Sequence, residues 1–212
     1  VQTAIGLMAI FATMSVISRK ESQMSHLRQL VLASVALVAP GVAWAANPVV
    51  VMDTSYGTIK IELFEDKAPN TVKNFLQYVD DKHYDGTIFH RVLNNSVIQG
   101  GGYTPNMTER KTRPPIKNES SNGLKNVRGT IAMARTRDVD SATSQFFINV
   151  TDNPQWDHTD TNPGYAVFGR VIDGMNVVDK ISKVTTVTPR GQFEASFPIE
   201  DIVIKSVQRE KK

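Results

Sequence analysis

The sequence predicts a mainly β fold, an antiparallel sheet closed into a barrel and capped by two α-helices, on three observations. Short segments rich in β-branched and aromatic residues recur at close spacing between Val49 and Val207. Only two stretches, one opening at Pro69 and one following Gly174, carry apolar residues at helical spacing. A sheet of many strands with few helices is most economical when closed, because closure removes unpaired edges.

Taken in order, Val49 to Thr54 and Thr58 to Phe64 alternate around Ser55-Tyr56-Gly57, a hairpin with glycine where a positive φ is expected. Ala68-Pro69-Asn70-Thr71 then opens a helix in which Val72, Phe75, Leu76 and Val79 form one stripe that packs on the sheet. Further strands are expected at Thr87 to Leu93, Val97 to Gln99, Thr130 to Arg135, Gln145 to Val150, Tyr165 to Val171 and Ile199 to Val207. A second helix runs from Met175 to Val184, with Met175, Val178 and Ile181 on one side. The stretches Thr104 to Arg128 and Asp152 to Gly164 are polar and aperiodic, and read as loops; Trp156 is the only large apolar residue of the second.

Composition narrows the function. With 212 residues, 41% hydrophobic and 21% charged, the chain suits one globular domain. The absence of cysteine removes disulfides, thiolate nucleophiles and Cys-ligated zinc together. Residues 1 to 45 hold Arg19, Lys20 and Arg28 against Glu21, which leaves 21 basic and 20 acidic residues in the remainder. So even a balance gives no electrostatic case for nucleic acid.

The amino-terminal region reads as export machinery. Met24, His26 and Arg28 precede an apolar run, Leu30 to Ala39, then Pro40-Gly41 and Ala43-Trp44-Ala45, whose small residues two apart suit a signal peptidase. The expected organisation is a signal peptide over residues 24–45, cleaved after Ala45, and a folded domain over residues 46–212. A retained anchor is the alternative, but the apolar core falls short of the roughly 20 residues that span a bilayer. Residues 1–23 are either an over-extended reading frame or a second hydrophobic segment.

The chain has no G-x-S-x-G elbow, H-E-x-x-H, Walker A or helix-opening G-x-G-x-x-G. Gly100-Gly101-Gly102 precedes Tyr103, so a tight turn or close backbone approach is favoured over a phosphate cradle. Asp138-Val139-Asp140 lacks the further ligands of a calcium loop, and the histidines are scattered, so neither metal nor cofactor is expected. Arg91, within the apolar run Phe89 to Leu93, must lie on a wet or paired face; snorkelling from a sheet edge is the alternative. Phe147 and Tyr165 offer apolar faces, Gln99 and Gln145 amides that donate and accept, and Arg91 a permanently charged fork. Such a set suits holding a peptide rather than breaking a bond.

Phe89-His90-Arg91-Val92, Gln99-Gly100-Gly101, Gly129-Thr130-Ile131-Ala132-Met133-Ala134-Arg135, Ser144-Gln145-Phe146-Phe147-Ile148-Asn149 and Val167-Phe168-Gly169 occur in the order and spacing of the cyclophilins. The chain thus resembles these peptidyl-prolyl cis-trans isomerases over about residues 49 to 207, and most of all the bacterial exported members. The resemblance implies eight strands in the barrel, a groove on its outer surface, proline-containing polypeptides as partners, a monomer without a stable membrane anchor, and a periplasmic location. It places the catalytic arginine on Arg91, with Gln99 helping to hold the substrate carbonyl, Phe147 lining the proline pocket, and Ala134-Arg135 presenting backbone to the peptide. Phe89, His90, Val97, Gln145, Trp156 and Tyr165 fall on the remaining substrate-binding positions. Tyr165 replaces the histidine of many relatives, a substitution shared with the exported group.

One departure stands out. Where the family usually has Pro-Gly-Phe-Met, this chain has Asn94-Asn95-Ser96-Val97, so Ser96 occupies the place of a second aromatic wall. Losing such a contact weakens proline binding by a few kcal/mol at most. Two readings follow: an isomerase for exported proteins, or a chaperone-like module that binds proline segments with little turnover. A hydrolase lacks any activated nucleophile.

Overall fold

A computed structural model describes residues 47–187 and 196–211. The expected signal peptide and the segment before it lie outside the described residues. The strands are β1 (Val49–Thr54), β2 (Gly57–Leu63), β3 (Thr87–Ile88), β4 (Arg91–Leu93), β5 (Val97–Gly100), β6 (Thr130–Met133), β7 (Phe146–Asn149), β8 (Val167–Asp173), β9 (Thr186–Val187), β10 (Phe197–Pro198) and β11 (Val203–Arg209). The helices are α1 (Pro69–Asp80) and α2 (Met175–Ser182).

Nine strands form one antiparallel sheet in the order β3-β11-β1-β2-β8-β6-β7-β5-β4, and β9 pairs with β10 separately. The terminal strands β3 and β4 are successive pieces of the expected strand Thr87 to Leu93; counted as one, they give the eight strands expected. They do not pair with each other. The result is a curled half-barrel whose seam is crossed by the chain itself rather than a continuous ring of hydrogen bonds.

The interruption has a physical cause. Phe89 and Val92 both pack in the main core although they are three residues apart, and an unbroken strand brings every second residue to one face. The alternation therefore slips by one residue at His90 and Arg91. The slip leaves Arg91 on the outer face, the re-aiming effect of an extra residue in a strand.

The core fills the curl. Val50, Met52, Ile59, Ile61, Phe146, Ile148 and Phe168 have no exposure, and the stripe Val72, Phe75, Leu76 and Val79 of α1 covers one side as expected. Helix α2 contributes Val178 and Ile181, joined by Val177. The hairpin turn holds Gly57 at φ +132, where a Cβ would also press on Val177 Cγ2 at 2.9 Å.

The amino terminus of α1 is capped from afar. Glu119 in the long loop accepts hydrogen bonds from the backbone N–H groups of Asn70 (3.2 Å) and Thr71 (2.8 Å) and from the Thr71 hydroxyl (2.7 Å). A carboxylate there also suits the helix dipole. Three strand starts fall later than expected: β7 begins at Phe146, the last strand begins at Val203, and β8 begins at Val167 because the Tyr165 N–H is bonded to the Trp156 carbonyl at 2.9 Å.

Candidate active site

The site is laid out by strand register. Arg91 on β4 faces Gln99 on β5, Gln99 faces Phe147 on β7, and Phe147 faces Ala132 on β6. These residues form one row on the outer face. The adjoining row, Val92, Ile98, Ile148 and Ile131, points into the core, so the strands that supply the site are anchored by what they bury beneath it.

Above the outer row lies a cavity of about 190 Å³ lined by Arg91, Val97, Gln99, Ala134, Arg135, Phe147, Trp156 and Tyr165. Its aromatic wall consists of Phe147 edge-on to Trp156 (5.2 Å between centroids) and to Tyr165 (5.6 Å), with Trp156 and Tyr165 5.9 Å apart. The Arg135 guanidinium stacks over Tyr165 at 4.5 Å and donates from Nε and Nη2 to the Gly164 carbonyl, which secures the loop carrying that ring.

Arg91 is half-buried and donates from Nη1 to Gln99 Oε1 at 3.1 Å; Gln99 Nε2 donates in turn to Gln145 Oε1 at 3.0 Å. It has no ion pair among the described residues. Burial, slightly offset by Tyr165, draws its pKa below the ordinary value. The guanidinium stays charged, since arginine is not deprotonated in proteins. A partly desolvated cation with donors to spare thus stands beside an apolar pocket.

Three expected substrate-binding residues are placed elsewhere. Phe89 has no exposure and packs edge-on to Phe146 inside the curl, on the far side of the sheet from the groove. His90 is 3% exposed and lies edge-on to Tyr103 at 4.8 Å; burial holds its pKa down at about 4. Both are corrected from contact to support. Gln145 lines an adjoining recess of about 180 Å³, with Glu109, Thr136, Ser141 and Thr143 beside Gln99, Ala134 and Arg135. It also reaches His90 and Tyr103, so a chain of hydrogen bonds links His90 to Arg91 through Gln145 and Gln99. The Ala134 N–H is taken by the Gln145 carbonyl at 3.0 Å and is not open to a peptide.

The glycine run works by close approach. Gly101 has φ +86, and a Cβ at Gly102 would lie 2.7 Å from Gln145 Cγ. Ser96 does not line the cavity as it stands: its hydroxyl donates to Asn153 Oδ1 at 3.1 Å, and Asn153 Nδ2 donates to Asn149 Oδ1 at 2.9 Å. Asn149 bonds Asn126, which donates to the Trp156 carbonyl at 2.9 Å. This amide network holds the aromatic wall from behind. Sequence reasoning missed it, although the four-residue spacing of Asn149 and Asn153 was a signal.

The family model for "Cyclophilin type peptidyl-prolyl cis-trans isomerase/CLD" matches residues 49–209, the whole stretch that builds the sheet and the groove. The chain belongs to the cyclophilin family. It is 56% identical over 163 residues to a peptidyl-prolyl cis-trans isomerase of Acinetobacter baylyi, covering 77% of this chain and 86% of that one. It is 52% identical over 161 residues to peptidyl-prolyl cis-trans isomerase B of Escherichia coli, covering 74% and 97%. Among solved structures, a Cryptosporidium parvum cyclophilin superposes with a TM-score of 0.63 at 28% identity, covering 78% of this chain and 99% of that one. As a cyclophilin the chain is a peptidyl-prolyl cis-trans isomerase, an enzyme acting on proline-containing polypeptides. Its groove suits the chemistry: a permanent cation, amides and aromatic faces, with no activated nucleophile among the cavity-lining residues.

Proposed function

We propose that the enzyme accelerates X-Pro rotation in exported proteins as they fold, with Arg91 stabilising the half-turned amide. Rotation meets a barrier of about 18 to 20 kcal/mol because it breaks amide resonance. At the twisted midpoint the proline nitrogen recovers its lone pair, and a guanidinium N–H donated to it binds that state better than either planar isomer. The proline ring sits against Phe147, Trp156 and Tyr165, and Gln99 holds the substrate carbonyl. No covalent step is needed.

The observation that carries this reading is the outer row: Arg91, Gln99 and Phe147 share one face and one cavity, with the charge uncompensated. The export context rests on the amino-terminal sequence, a basic residue, an apolar run and Ala43-Trp44-Ala45, and implies a periplasmic location after cleavage near Ala45. Among the described residues no helix is long and apolar enough to cross a membrane. We take the working form to be a monomer.

Exchange measurements on a proline peptide test the mechanism. Arg91→Ala lowers the exchange rate by about 10² to 10³, the usual cost of losing one transition-state donor, while peptide affinity changes little. An unchanged rate removes Arg91 from the reaction; equal loss of rate and affinity makes it a binding residue.

A further inference from the structure

A second cleft, of about 400 Å³, lies at the carboxyl end of α1, between residues 78–83 and the loop segment 110–113. Its lining carries four permanent cations, Lys82, Arg110, Lys111 and Arg113, against one carboxylate, Asp81, which pairs with Arg113. Lys82, Arg110 and Lys111 form no ion pair among the described residues.

An independent observation points to the same place. Two side-chain nitrogens of residues that line this cleft, His83 Nε2 and Arg110 Nε, are buried with no hydrogen-bond partner among the described residues. Orphaned buried groups are costly and are few in native proteins. The rest of the Arg110 fork is held by Nη2 donating to the Asp85 carbonyl at 2.8 Å, and the His83 ring packs on Tyr78 at 4.5 Å while its other nitrogen bonds the Gly101 backbone. Of the carbonyls that end α1, those of Gln77, Val79 and Tyr78 accept from the backbone N–H groups of Asp81, Lys82 and His83.

From this convergence we propose that the cleft binds a tetrahedral oxyanion of the phosphate type. Arg110 Nε donates to one oxygen, and Lys82, Lys111 and Arg113 balance the charge. His83 Nε2 takes up a proton from solvent as the anion seats, and then donates to a second oxygen. Burial and the nearby cations Arg110 and Arg113 hold His83 below its ordinary 6.5, so a bound anion moves its titration upward.

NMR titration of the full chain with sodium phosphate, against sodium chloride at matched ionic strength, reads this directly. Support is a saturable shift at the His83 imidazole, its titration midpoint rising by about one pH unit, and an Arg110→Gln affinity about tenfold weaker, as expected for one hydrogen bond to a charged group. Lys111→Gln, which has no ion pair to lose, weakens binding without disturbing the Asp85 contact. A phosphoserine peptide run beside inorganic phosphate identifies the source: weaker binding means a free anion, equal or tighter binding a phosphorylated chain. Shifts that grow linearly and match those in chloride, or affinities unchanged in both variants, overturn the proposal.

Discussion

Arg91 and Gln99 are cross-strand partners on β4 and β5, and the guanidinium donates to the amide oxygen at 3.1 Å, so the charge is aimed by a hydrogen bond from the strand beside it. Gln99 is in turn tethered to Gln145, which fixes which of its ends faces the arginine. Replacing Gln99 with Leu keeps the size and removes both bonds. The expected outcome is a fall in kcat/KM of about tenfold or more, since a hydrogen bond to a charged group contributes about 1.5 to 3 kcal/mol. Isomer exchange in a proline peptide measures it, and a larger effect on kcat than on KM shows that aiming, not binding, was lost.

Phe147 is 4% exposed and touches both other rings of the wall. Phe147→Ala is expected to destabilise the fold by about 3 to 5 kcal/mol, the range for large buried aromatics, and to raise KM for proline peptides. Denaturant melts and steady-state kinetics report the two effects separately.

Ser96 bonds Asn153 rather than lining the cavity. Ser96→Phe adds an apolar wall and breaks that bond. Peptide binding is expected to tighten while stability falls by about 1 kcal/mol, the net worth of one hydrogen bond. An unchanged kcat/KM removes this position from the account of the pocket.

His90, buried and held at about 4, binds its proton less well in the fold than in the open chain, whose ordinary value is 6.5. Between these values the unfolded state carries the extra proton, so stability rises with pH across that window and is lost as pH falls through it. The loss from this one group amounts to about 3 kcal/mol. Urea unfolding at pH 7 and pH 4 measures it, and His90→Gln flattens the difference.

The periodic parts of this fold were legible in the sequence. The stripe on α1 is one such part, and the β1–β2 hairpin, paired from Val49–Glu62 to Thr54–Gly57, is another. Arg91, Gln99, Phe147, Trp156 and Tyr165 were legible as a site through family motifs, and the structure gathers them around one cavity. What escaped depends on contacts between distant segments: Glu119 capping α1, Asn153 drawing Ser96 away from the groove, and the break after Ile88. Local propensity at Thr87 to Leu93 favours one strand, and only the burial of both Phe89 and Val92 reveals the slip. Phe89 and His90 were misplaced for the same reason, because adjacency to Arg91 in the chain is not adjacency on the surface.

That slip sets a parity for the whole enzyme. In an unbroken strand Arg91 would share the inward side with Phe89, its charge sealed in hydrocarbon, and Val92 would take its place at the substrate. Deleting one residue between Phe89 and Val92 would mend the alternation with both still facing the core, and would leave a single residue between them on the outer side. The irregularity in the wall is therefore what brings this cation out to the groove instead of leaving it in the core.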